Sequence, residues 1–225
     1  MEEERKFDVV IHFIMAFCGG YFGIYAFVNR LNVFGSAQTA NLIDLVRDIV
    51  GNDFVAALLR IGALCVFLGA MIFVTILEKK TKYNVKYIAL YMECIIIFLL
   101  GCLPTDMPPL LALYPMFFMT AFQWCAFKGA QGYVCSTIFS TNNLKQTCCS
   151  ITEYLLLDKE NVKERKEKVK KASFFGGTIV SFQFGAVIGC IISLAVGIKS
   201  IWLCFIPVLI AFLLLSKDEK RVVWQ

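Results

Sequence analysis

The sequence predicts an all-α membrane protein: a bundle of six transmembrane helices built from two inverted three-helix repeats, each with a short re-entrant or interfacial segment. Three observations carry this expectation. Of the 225 residues, 59% are hydrophobic and the mean hydropathy is +0.71, where a soluble domain is about 45–50% apolar. The charged residues gather between continuous apolar runs, as in polytopic helical proteins, and not in the short alternating segments of a membrane barrel. Finally, the polar motif Thr39-Ala40-Asn41-Leu42, just past the first apolar run, returns in the second half as Thr141-Asn142-Asn143-Leu144.

The first span is expected over 8–28. It holds the only histidine, His12, one turn inside the membrane, where a hydrogen-bonded packing role is the simple reading and a proton relay the sharper one. Gly19, Gly20 and Gly23 lie close together in it, and small residues let helices approach closely in lipid. The run is too long for a cleaved signal and lacks a small-x-small site, so it is expected to stay in the membrane. A polar stretch follows, with Gly35, Ser36, Gln38, Thr39 and Asn41, then a short amphipathic run over 42–50. Asp44, Arg47 and Asp48 make that run too charged to span, so it is re-entrant or lies at the surface.

Gly51-Asn52-Asp53 marks a turn and a helix start. The second span is expected over 54–77, with Arg60 near its start, and the third over 85–103, with Glu93 near its middle. Pro104 and Pro108-Pro109 punctuate the connection to a fourth span over 109–127, which carries Gln123 and Trp124. The second polar stretch occupies 128–147. An apolar stretch too short to span follows it to Leu157, and then a charged run over 158–171, whose Glu–Lys spacings suit a solvated helix; contact with anionic lipid is the alternative. The fifth span, with Gln183, is expected over 172–196, the sixth over 201–216, with Pro207 inside it, and a polar tail ends the chain.

Basic residues set the orientation. Lys79, Lys80, Lys82, the cluster from Lys159 to Lys171, Lys217 and Lys220 would share one side with both termini, which are therefore expected to be cytoplasmic at an inner membrane. The net charge of +5 is accounted for by these loops, and nucleic acid is not expected as a partner. The expected partners are the lipid bilayer and a small-molecule solute, and a homo-oligomer is left open. Ten cysteines are present, most inside apolar runs and none as C-x-x-C, so they read as small buried hydrophobes. With no metalloprotease, serine-hydrolase or nucleotide fingerprint, neither enzyme activity nor a cofactor is expected.

The echo between the halves extends beyond Thr-x-Asn-Leu. Ala26-Phe27 matches Ala126-Phe127, Gly69-Ala70 matches Gly185-Ala186, and Phe98-Leu99-Leu100 matches Phe212-Leu213-Leu214. The separation lengthens at the basic loop, where an insertion is expected. The repeats are placed at 1–104 and 105–225. Three spans per half invert the second relative to the first, so the polar stretches enter from opposite faces, as in inverted-repeat transporters. Candidate substrate-binding residues are Thr39, Asn41, Thr141 and Asn143, for which helix capping is the structural alternative, then Gln38 and Gln123. Glu93 and Arg60 complete the set. A charge inside a span is rare unless paired or facing water, so the two form a clamp between helices or Glu93 titrates along the solute path.

Gly20-Tyr21, Tyr25-Ala26-Phe27, Val33-Phe34, Thr39-Ala40-Asn41-Leu42, and Gln123 to Phe127 with Thr137 and Thr141 resemble the YoaK family of bacterial membrane proteins of unknown function, some of which carry transporter labels. The resemblance covers nearly the whole chain and implies fold and location, not a substrate. The chain departs from the pattern at Gly23-Ile24, where an acidic residue is common, and at Ala40, where glycine is usual. The missing acid removes the group on which a cation-binding or proton-coupled role at that position would rest. The functional expectation is a secondary transporter or channel for a small polar, anionic or neutral, metabolite; the alternative is a membrane scaffold or regulator that binds lipid or a protein.

Overall fold

The structure, a computed structural model, describes residues 7–30 and 38–223; Val33, Phe34, Gly35 and Ser36 of the first polar stretch lie outside the described residues. The elements are α1 (Asp8–Asn29), α2 (Gln38–Val50), α3 (Phe54–Lys80), α4 (Val85–Cys102), α5 (Pro109–Ala112), α6 (Tyr114–Ala126), a hairpin of β1 (Gly129–Ala130) and β2 (Tyr133–Val134), α7 (Thr141–Leu156), α8 (Val162–Val196), a 3-10 helix (Gly197–Cys204) and α9 (Phe205–Val223).

Four stretches are long and apolar enough to cross a bilayer: α1, α3, α4, and a run over 162–218 that joins α8, the 3-10 helix and most of α9. The expected fourth span is divided at Leu113, between α5 and α6. Pro115 sits in the first turn of α6 and has no N–H to continue a helix from α5. The 3-10 helix starts at Gly197, whose φ of +62° suits glycine and ends α8. The solvated helix expected within 158–171 begins at Val162 and continues without a break into the fifth span, so the two are one 35-residue element.

The packing gives each helix a direction. Phe13 lies against Gly177, and Tyr21 and Ile24 lie against Gly189, so α1 and α8 run parallel. A Cβ on Gly20 would overlap the Phe182 carbonyl, and one on Gly185 the Phe17 carbonyl, so the two backbones touch. Gly23 meets nothing within 4 Å and has no part in this seam. A second parallel pair is α3 with α6. Tyr114 Oη donates to the Leu59 carbonyl at 2.7 Å near their starts, and Lys128, just past the end of α6, meets Glu78 in the last turn of α3 at 2.7 Å.

At one end of the bundle Lys86 pairs with Asp8 at 3.0 Å, and the Phe7 N–H donates to Asp218 at 3.0 Å. The starts of α1 and α4 thus meet the end of α9. At the other end Arg30 Nη1 donates to the Pro104 carbonyl at 2.9 Å, beyond the C-terminus of α4. Large apolar side chains such as Leu58, Ile72, Phe184, Ile191, Leu194 and Ile206 face outward, an arrangement that suits a lipid environment. All ten cysteines are free; Cys18, Cys135 and Cys204 are buried, whereas Cys65, Cys102, Cys148 and Cys149 are exposed on the protein, a correction to the expectation of general burial.

Candidate functional site

The second polar stretch dips into the bundle. At its mouth Gln131 and Gly132, at φ of +55° and +76°, make the tight turn of the β1–β2 hairpin, and the Cys135 N–H donates to the Lys128 carbonyl at 2.9 Å. Two successive residues at positive φ are the signature of a type I′ turn; Gln-Gly was the available signal, and the hairpin was not expected.

The chain then enters as irregular backbone. The Thr137 carbonyl packs against Gly19, where a Cβ would overlap it. Gly19 lies near the middle of the 22-residue α1, about 16 Å from either end at ~1.5 Å per residue. A bilayer core is about 30 Å thick, so Thr137 is at mid-depth of a bundle crossed by α1. Lipid offers backbone no hydrogen-bond partner at that depth, and irregular chain is tolerated only where protein or a cavity satisfies it.

Side chains supply those bonds. Ser136 Oγ accepts from the N–H groups of Ile138 and Phe139 at 3.2 and 3.1 Å. Asn143 Nδ2 donates to the carbonyls of Ser136 and Phe139 at 2.8 and 3.0 Å, and its Oδ1 accepts from Cys135 Sγ at 3.3 Å. Gln123 Nε2 donates to both Thr137 Oγ1 and the Met15 carbonyl at 2.9 Å, tying loop, α1 and α6 together. Asn143 is therefore spent on shaping the loop. Two polar atoms at the tip have no partner among the described residues: Gln123 Oε1 and Ser140 Oγ. Ser140 precedes α7 and makes no side-chain cap, so the α7 N-terminus brings free N–H groups to this depth.

The first polar stretch is held by charge. Arg60, on α3, is hydrogen-bonded to Asp48 and paired with Asp44 at 3.2 Å, both on α2, and its Nη1 reaches Asn41 Oδ1 at 3.5 Å. The Arg60 hydrogen bond is the main influence holding the Asp48 carboxyl below its ordinary range; Arg47 adds to it. The expected Arg60–Glu93 clamp is thus corrected: α2 supplies two carboxylates nearer the start of α3, where Arg60 sits. Gln38, at the start of α2, has both amide atoms buried and no partner for either among the described residues.

Glu93 is 1% exposed, and neither carboxyl oxygen has a hydrogen-bond partner among the described residues. His12 packs its ring 5.1 Å from Phe174, and neither nitrogen is hydrogen-bonded among the described residues, so the expected bond is not made. Thr39 and Thr141 are exposed, as is Gln183.

The two motif helices bury the same face. In α2 the buried residues are Asn41 and Asp48; in α7 they are Asn143 and Ser150, the same two positions counted from Thr39 and Thr141. A family profile described as a protein of unknown function (DUF1275) matches residues 11–214. The chain belongs to the DUF1275 family. The DUF1275 match takes in both polar segments, Gln123 and Glu93. It supports the sequence resemblance as far as an uncharacterised family and does not carry the YoaK name. No curated protein and no solved structure matches this DUF1275 chain.

Proposed function

We propose that this protein is a six-span inner-membrane secondary transporter or channel for a small polar, anionic or neutral, metabolite, built from two inverted repeats at 1–104 and 105–225 with both termini cytoplasmic. The observation that carries the reading is the Thr137 carbonyl at mid-depth against Gly19, since irregular backbone at such depth marks solute sites in repeat-built transporters. The contacts between elements support the inversion. α1 packs on α8 and α9, α6 packs on α3 and α4, α2 lies on α3 and α7 on α8; exchanging the halves maps this set onto itself.

On this reading α2 and α7 enter from opposite faces, with Gln38 and Ser140 near their tips. A positive dipole end at each tip, with no side-chain cap from Ser140 on α7, favours an anionic or carbonyl-bearing solute. Glu93 is the only acidic residue in the interior of the six proposed spans, and we assign it the coupling role, with Gln123 at the solute path. Thr39, Asn41, Thr141 and Asn143 flank the path and hold its walls. Catalysis is not part of the proposal.

A membrane scaffold or regulator is the second reading, favoured by Asn143 spending its hydrogen bonds on the loop. The test is a thermal-shift screen of purified protein against a metabolite library, followed by uptake of the hits into proteoliposomes. Transport predicts a hit that stabilises the protein and is taken up; a scaffold predicts neither.

A further inference from the structure

Helix α8 is 35 residues long, about 52 Å at ~1.5 Å per residue, while a bilayer core is about 30 Å thick. The apolar part, 172–196, fills that core. The first turns therefore lie among the lipid headgroups or beyond them. There α8 meets the end of α7 around a cavity of about 280 Å3 lined by Tyr154, Lys159, Val162, Arg165, Lys166 and Val169.

The cavity is built and not merely a cluster of surface charges. Arg165 Nη1 donates to the carbonyls of Tyr154 and Leu157 at 3.1 and 2.6 Å, closing the C-terminus of α7. The guanidinium is 4.1 Å from the centre of the Tyr154 ring, which it covers. Lys168 pairs with Glu153 at 2.6 Å and fixes the two helices beside it. Asp158, Glu160, Glu164 and Glu167 belong to the same segment, but no acid among the described residues lines the cavity. Next to these cations Leu155 and Leu156 are 70% and 80% exposed. Water is a poor solvent for that pair, whereas acyl chains below a headgroup are a good one.

The geometry points to a binding site for the phosphate of an anionic phospholipid: Lys159 and Lys166 contact the headgroup, Arg165 shapes the cavity, and Leu155 and Leu156 enter the acyl layer. Basic residues beside a membrane surface attract anionic lipid in this way. The inference rests on the membrane placement of α8 and not on transport.

The test uses the full-length protein in detergent. Native mass spectrometry follows titration with phosphatidylglycerol, phosphatidylcholine and inorganic phosphate. The expected result is tight retention of phosphatidylglycerol alone, weakened about fivefold for each lysine lost in Lys159→Gln/Lys166→Gln and unchanged in Lys79→Gln/Lys80→Gln. Lys159→Gln alone serves if the double variant does not fold. Equal weakening in both double variants would reduce the site to diffuse charge and overturn it. So would equal retention of phosphatidylcholine, displacement by inorganic phosphate, or a pocket variant that keeps the lipid and loses an acidic protein partner.

Discussion

The carbonyl of Thr137 rests on Gly19, halfway along α1, with no room for a side chain between them. Backbone touches backbone there, so neither partner can move aside by changing a rotamer. Gly19→Ala should therefore lift the loop from the helix and destabilise the protein by about 1–3 kcal/mol, the usual cost of overpacking. Gly20→Ala and Gly185→Ala should behave alike on the α1–α8 seam. Gly23→Ala is the control: with nothing within 4 Å it should be neutral or slightly stabilising. Melting temperatures in one detergent check all four.

Gln123 links Met15, Thr137 and α6 through one amide. Replacing it with leucine leaves the buried Thr137 hydroxyl without this donor, at a cost of about 1–3 kcal/mol. Hydrogen exchange should show the added opening in residues 135–140, not in α8.

Asp48 and Arg60 hold α2 on α3, and a double-mutant cycle with Asp48→Asn and Arg60→Gln should give a coupling of about 0.5–3 kcal/mol. The pH dependence follows from the direction of the Asp48 shift. Its carboxyl is held low in the folded protein, so its stabilisation is fully present above the unfolded value of about 3.9 and disappears as pH falls through the folded value. Proteolysis at Arg47 by an acid-tolerant protease should rise below that range in the native protein. In Asp48→Asn it should be high at every pH.

Glu93→Gln keeps the shape of a side chain that makes no hydrogen bond among the described residues. The variant should melt at or above the native temperature, because an ionised carboxylate is costly at this depth. In proteoliposomes carrying a solute found by the screen, uptake driven by a pH gradient should be lost while exchange of solute for solute persists. Unchanged gradient-driven uptake would remove Glu93 from the coupling role.

Helix positions were legible in the sequence because apolar runs of bilayer length have few alternatives in water or lipid. Close helix packing was legible at Gly20, which meets α8, whereas Gly19 meets a loop carbonyl and Gly23 nothing within 4 Å, so spacing does not say which neighbour a glycine meets. The Thr-x-Asn-Leu motif pointed to the right segments and only in part to the right atoms. Asn41 and Asn143 are buried, while the threonines beside them face outward. Arg60 could not be assigned its partner from depth along a span, because the choice between Glu93 and Asp48 depends on where α2 lies. The hairpin at Gln131-Gly132 was missed because two-residue strands leave no alternating pattern to read.

Where Ser140 lies between the two faces of the bundle decides between a re-entrant segment and a surface one. Pulsed electron paramagnetic resonance on nitroxide pairs in nanodiscs can place it, pairing Ser140 with Asn52, just before the 27-residue α3, and with Thr81, just after it. These reference points are about 40 Å apart along the helix. A re-entrant segment predicts two distances of similar length. A Ser140–Thr81 distance shorter than the other by most of that 40 Å would place the segment at the membrane surface and contradict the account.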